Sequence, residues 1–154
     1  MKLSTKGRYA MVAMVDLAIL LRSAGGKHVS LAEIARRQDV SQAYLEQLFV
    51  KLRRAGLVES VRGPGGGYRL ARDAAEIRVS EVLEAVEETV SAMALGAGAS
   101  GGVSGSQAQS MTNRLWESLS AQVYVFLHQT TLADVAGNEL KPCPAVPGLF
   151  RVTA

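Results

Sequence analysis

The stretch SLAEIARRQDVSQAYLEQLFVKLRR, running from Ser30 to Arg54, decides the fold. Ser30 with Glu33 is a helix-opening pair: a serine hydroxyl accepts an orphan backbone N–H, and a glutamate one turn on reaches back to the serine N–H. Leu31, Ile34 and Ala35 then supply a short apolar stripe. A second start falls at Ser41, after which Leu45, Leu48, Phe49 and Leu52 recur at i, i+3, i+4 and i+7, the spacing of one helical face. Gly56 ends it. Between the helices, Asp39 stands where a tight turn often takes glycine, and aspartate tolerates the left-handed backbone better than most residues. Two helices so joined make a helix-turn-helix.

Upstream, Ala10, Met14, Leu17 and Leu21 mark one stripe of a helix over Arg8 to Arg22, ended by Gly25 and Gly26. Downstream, Leu57 to Val61 and Tyr68 to Leu70 read as strands around a turn from Arg62 to Gly67, and a short helix is expected from an N-cap at Ser80 to Glu88. Three helices and a hairpin describe a winged helix-turn-helix, mainly α with a small β-hairpin. From Ser91 to Ser110, 15 of 20 residues are Gly, Ala or Ser, too little side chain to pack, so a flexible loop is expected. Beyond it Met111, Leu115, Leu119, Val123 and Leu127 recur every four residues, with Trp116 and Phe126 widening the stripe. So broad an apolar face needs a partner, and a second copy of the chain is favoured, because helix-turn-helix readers usually act as two-fold dimers. The expected organisation is a winged helix-turn-helix over 1–73, a connecting helix over 74–90, the loop over 91–110, a dimerisation helix with a short following helix over 111–140, and an irregular tail over 141–154.

Cut after Asp73, the first part holds 13 Lys/Arg against 6 Asp/Glu and the remainder 4 against 8, so net charges of +7 and −4 hide within an overall +3. A basic half suggests a polyanion partner, and the plain alternative is two solubilising surfaces of opposite sign. At 154 residues a large catalytic barrel is excluded. The single cysteine, Cys143, permits no intrachain disulfide. Lys2, Lys6 and Arg8 before the apolar run Tyr9 to Leu21 imitate a secretion signal, but Asp16 in the middle of that run argues against export and against a membrane span. The expectation is a cytoplasmic chain with no membrane partner.

The helix from Ser41 exposes Gln42, Ala43, Glu46 and Gln47 opposite its apolar stripe and carries Lys51, Arg53 and Arg54 towards its end. Glutamine pairs with adenine and glutamate accepts from cytosine in a major groove, while basic side chains meet phosphates. Alone, the same residues make an ordinary solvated face. The slim hairpin Arg62-Gly63-Pro64-Gly65-Gly66-Gly67-Tyr68 shifts the balance, because it can bring Arg62 into a minor groove or against phosphates, with Arg69 just beyond. A nucleotide-cradling loop fails on context: no Gly-Lys-Ser/Thr, no helix-opening G-x-G-x-x-G and no alternating strand and helix accompany those glycines. No nucleophile–base pair, metal triad or supported carboxylate pair points to an enzyme.

Lys6-Gly7-Arg8-Tyr9-Ala10, Ser41-Gln42-Ala43-Tyr44-Leu45-Glu46-Gln47-Leu48-Phe49 and Val61-Arg62-Gly63-Pro64-Gly65-Gly66-Gly67-Tyr68 resemble the IscR-type family of winged-helix regulators of iron–sulfur cluster assembly. The likeness covers residues 1 to about 90 and resumes at Met111-Thr112, Leu115-Trp116 and Thr131-Leu132-Ala133-Asp134. It implies a homodimeric repressor of iron–sulfur or iron-related genes that binds a pseudo-palindromic operator in double-stranded DNA, with its long helix at the dimer interface. By the same likeness Glu46 and Gln47 match base-reading positions, Ser41 and Tyr44 backbone-contacting ones, and Arg62 the wing arginine beside Gly63. Ala43 departs from the family's usual serine. The alternatives are a winged helix that binds only protein, and a cysteine-based redox regulator without a cluster.

The family's [2Fe–2S] site uses three cysteines before the long helix and a histidine three residues after the last of them. Here Ser110 and Asn113 stand at the last two positions, and residues 91–110 contain neither Cys nor His. Three readings stay open: an apo regulator, a [2Fe–2S] cluster on non-standard ligands with Cys143 from each subunit and oxygen or imidazole groups such as His128, and a Cys143 thiol that senses redox state or metal.

Overall fold

The computed structural model describes residues 3–25, 27–88 and 106–140. Ser4 caps the first helix by accepting from the Gly7 N–H at 3.2 Å, and α1 runs over Thr5–Ser23. Its buried side, Ala10, Ala13, Met14, Leu17 and Ala18, is the spine of the core. Asp16 is buried there as well, and both its oxygens accept from the Arg37 guanidinium at 2.9–3.1 Å. An unpaired carboxylate at that depth would be costly, so this pair fixes α2 against α1.

α2 spans Leu31–Gln38 and α3 spans Gln42–Arg54, capped by Ser30 and Ser41 respectively. Ser30 Oγ accepts from Glu33 N–H at 3.3 Å and Ser41 Oγ from Tyr44 N–H at 3.4 Å. Asp39 closes α2 in the left-handed region, φ 52° and ψ 47°, so the turn takes the shape expected of it. Ile34, Leu45, Leu48, Phe49 and Leu52 are buried against α1. Two antiparallel strands follow, β1 at Val58–Val61 and β2 at Gly67–Leu70, with Glu59 opposite Arg69 and Ser60 opposite Tyr68. Val29 adds a bridge to Tyr68, and a side chain at position 67 would collide with the Val29 carbonyl, which is why glycine stands there. Tyr68 meets the buried Phe49 edge to face at 4.9 Å, tying the hairpin to α3.

α4 covers Val79–Ala85, α5 Gln107–Gln129 and α6 Leu132–Ala136. Two expectations are corrected here. Ser80 is not the N-cap of α4: that position is Arg78, whose N–H donates to the Glu81 carboxylate at 2.8 Å. Ser80 is instead buried inside the helix and hydrogen-bonds His128 Nδ1 at 3.2 Å. The long helix also starts before Met111, because Ser106 caps it by accepting from Gln109 N–H at 3.2 Å, so residues 107–110 are helical rather than loop. The rest of the expected loop, 91–105, and the expected tail, 141–154, lie outside the described residues.

α5 is anchored at its far end. Val79 N–H donates to the Thr130 carbonyl at 3.0 Å, Leu132 N–H to Ile77 at 2.8 Å, and Arg78 to the Gln129 carbonyl at 3.3 Å. Leu132 then buries itself fully as α6 packs on α1. Along its 23 residues, about 34 Å at the helical rise, α5 has no buried side chain.

Candidate nucleic-acid interface

The burial of Leu45, Leu48, Phe49 and Leu52 dictates what α3 shows to solvent. Gln42, Ala43, Glu46 and Gln47 are exposed on its outer face, with Ser41 exposed at the N-terminus. Gln42 Nε2 donates to Glu46 Oε1 at 3.2 Å, which holds the carboxylate one turn from the helix start. Tyr44 is half-buried and packs edge to face with Tyr9 of α1, ring centroids 5.8 Å apart, so the start of α1 lies beside the start of α3.

The cations divide into engaged and unengaged. Lys51 Nζ lies 2.6 Å from Glu87 Oε2, Arg53 donates to Ser60 Oγ of β1 at 3.3 Å, and Arg69 is paired with Glu59 across the hairpin at 2.8 Å. The side chains of Arg54 and Arg62 are exposed and have no hydrogen bond or ion pair among the described residues. Arg62 opens the turn in which Gly66 N–H donates to the Gly63 carbonyl at 2.9 Å, and Gly63 adopts φ +112°, a backbone that other residues rarely take. His28 hydrogen-bonds the Gly65 carbonyl, bracing that turn from outside. Arg69, expected to contact a duplex, thus arrives with its charge already matched by Glu59 directly opposite in the register.

Three features escaped the sequence. Glu87, which sits at φ +59° just beyond α4, also accepts a 3.4 Å bond from Lys6 at its backbone carbonyl. The Lys51 ammonium, by hydrogen bond and charge, holds the Glu87 carboxyl below the usual carboxylate range. Glu88 accepts from Ser4 N–H at 3.1 Å and from its hydroxyl, and the Ser4 hydroxyl is the main reason its carboxyl also lies low. No short-range pattern marks these contacts, since the partners are 36 to 84 residues apart.

The family model described as Rrf2, iron-dependent transcriptional regulator, matches residues 3–138. The chain belongs to the Rrf2 family. It is 76% identical over 152 residues to the HTH-type transcriptional regulator IscR of Cereibacter sphaeroides, covering 99% of this chain and 97% of the relative. It is 48% identical over 139 residues to the IscR of Escherichia coli O1:K1, covering 90% and 82%. Among solved structures it is similar to T. potens IscR, with a TM-score of 0.69, 39% identity and coverage of 91% and 89%. It is also similar to CymR, the global cysteine regulator of B. subtilis, with a TM-score of 0.74, 33% identity and coverage of 90% and 98%. These likenesses bear out the winged helix-turn-helix architecture, and the Rrf2 chain is a DNA-binding transcriptional regulator rather than an enzyme. Among the described residues no helix is long and apolar enough to cross a membrane.

The iron–sulfur group that the resemblance implies does not fit this Rrf2 chain in the three-cysteine, one-histidine form. Ser110 and Asn113 lie one turn apart at the start of α5 where two ligands would be, and the described residues gather no three His, Cys, Asp or Glu able to hold a metal. His128 is engaged by Ser80 and stacks on Tyr124 with ring centroids 5.7 Å apart, and His28 is engaged by the wing. Cys143 lies outside the described residues.

Proposed function

We propose that the chain represses iron–sulfur or iron-related genes in the cytoplasm by occupying a pseudo-palindromic operator as a homodimer. Each protomer lays α3 in a major groove, where Glu46 and Gln47 read base edges and Gln42 orients Glu46. Ser41 and Tyr44 contact the backbone beside them, Lys51, Arg53 and Arg54 meet phosphates, and Arg62 beside Gly63 enters the minor groove from the wing. Arg69 acts with them only where Glu59 releases it. The observation that carries this reading is the exposed polar face of α3, supported from below by a fully buried stripe and flanked by Arg54 and Arg62, whose side chains have no partner among the described residues.

The α5 face, Met111, Leu115, Leu119 and Phe126 all exposed, supports pairing with a second copy. Protection of duplex DNA from cleavage over two half-sites about one helical turn apart, or a whole number of turns, is the expected footprint. A chain that protects no site on its own upstream region or on selected duplexes would overturn the proposal.

The cofactor reading follows the residues. A cluster in this regulator requires ligands outside the family's set, with Cys143 as the one thiolate the sequence offers. Visible absorption, sulfide and iron content of anaerobically isolated protein, with and without Cys143→Ser, separate a cluster on that thiolate from a colourless regulator that binds DNA in its apo form.

A further inference from the structure

Glu87 is exposed just beyond the end of α4, yet its backbone stands at φ +59°, where glycine or asparagine is the easier choice. Glutamate there has one visible use. Its carboxylate reaches Lys51 on α3 at 2.6 Å while its carbonyl accepts from Lys6 of α1 at 3.4 Å. Two cations, Lys51 on α3 itself and Lys6 on the neighbouring α1, are therefore held by one residue outside the winged domain. Glu88 secures the same corner by accepting from Ser4, with so little clearance at Gly7 that a side chain there would press on the Glu88 carboxylate.

We infer that Glu87 is an internal stand-in for a DNA phosphate, a positioning residue that competes with the duplex for Lys51 and so sets how tightly the free regulator binds DNA of any sequence. The inference rests on the proposed DNA reading of α3. The pair is solvent-exposed on both sides, with 36% of the Lys51 and 73% of the Glu87 side chain accessible, so it exchanges partners readily. A phosphate arriving at Lys51 must displace the carboxylate and then lie beside it. Removing the carboxylate frees one cation for the duplex and removes one repulsive neighbour. Counterion release then rises by about one ion, which steepens the dependence of log K on log salt by about 0.9.

The test compares the full chain with Glu87→Gln, Lys51→Ala and the double variant, each titrated with a mixed-sequence duplex between about 0.05 and 0.3 M salt. Glutamine keeps the size and the backbone carbonyl that receives Lys6. Glu87→Gln is expected to tighten binding roughly two- to fivefold at the low-salt end and to steepen the salt slope by about 0.9, with the gain abolished when Lys51→Ala is added. Circular dichroism of each variant checks that the fold is unchanged. A mere structural role for Glu87 would leave the slope at the parent value, and that result overturns the inference while the parent's own DNA binding stands. A steeper slope that persists when Lys51→Ala is added to Glu87→Gln overturns it too, by removing Lys51 from the phosphate contacts. A parent chain with no salt-dependent duplex binding overturns the proposed function and this inference together.

Discussion

Gln42 donates to the Glu46 carboxylate in the free chain, so under the proposed reading of α3 that carboxylate does not have to be ordered on binding. Glu46→Ala is expected to remove about 1–3 kcal/mol of discrimination at one base position while leaving affinity for random duplex close to the parent. Sequencing of duplexes selected from a randomised pool measures the first and titration the second. Equal losses on selected and random DNA would place Glu46 outside the groove. Asp16 shows the same dependence on a neighbour in the core. The hydrogen bond from Arg37 to Asp16, reinforced by their charges, raises the arginine's pKa above its ordinary value, and the carboxylate is buried. Arg37→Ala strands that carboxylate, so thermal unfolding should show a Tm well below that of Arg36→Ala, whose side chain is exposed without a partner among the described residues. Similar melting curves for the two would mean Asp16 finds another donor.

At the scale of elements, α5 poses the sharpest problem of cover. Among the described residues, a helix of 23 residues with no buried side chain is held to its own protomer chiefly at its C-terminal anchor, while Met111, Leu115 and Leu119 are 42–64% exposed. Leu115→Glu with Leu119→Glu should convert a dimer into a monomer in sedimentation equilibrium at micromolar concentration. It should also weaken operator binding far more than random-duplex binding, since two linked half-sites become independent. A dimer that survives both charges would move the interface elsewhere. How legible each element was follows from how local its cause is. Ser30, Asp39 and Ser41 act within one turn of themselves, and the helix-turn-helix was accordingly readable with its boundaries. Ser80 looked like a cap because Ser often caps, but its partner is His128, 48 residues away, and the true cap comes from Glu81 reaching Arg78. Ser106 was hidden inside a run of small residues whose composition outweighed its capping position. In the candidate site the outer face of α3 was readable from periodicity, whereas the engagement of Lys51, Arg53 and Arg69 was not, because each partner lies on another element.

Across the whole molecule, the acidic remainder of the chain does not merely keep clear of the basic part. Glu81, Glu87 and Glu88 each bond to a residue of a different element: Arg72 after the hairpin, Lys51 of α3, and Ser4 at the start of α1. The connector is thereby tied to the winged domain through carboxylates, and the tie must depend on pH. For Glu81, burial pushes the carboxyl up, but the Arg78 N–H and the Arg72 guanidinium outweigh it and leave the group below its ordinary value of 4.5. Glu87 and Glu88 lie low for the reasons given at the interface. A carboxyl whose folded pKa is depressed binds fewer protons folded than unfolded, so its contribution is complete above about pH 4.5 and is lost as pH falls through the folded pKa. The Tm of the parent should therefore exceed that of Glu81→Gln at pH 7, and the gap should close progressively from about pH 4.5 downwards as both chains come to carry a neutral side chain at that position. Glutamine retains the shape, so the closing gap reports charge. A gap that stays constant from pH 7 to pH 3 would show that Glu81 acts through its hydrogen-bond geometry alone, and that the charge tie between connector and winged domain contributes nothing to stability.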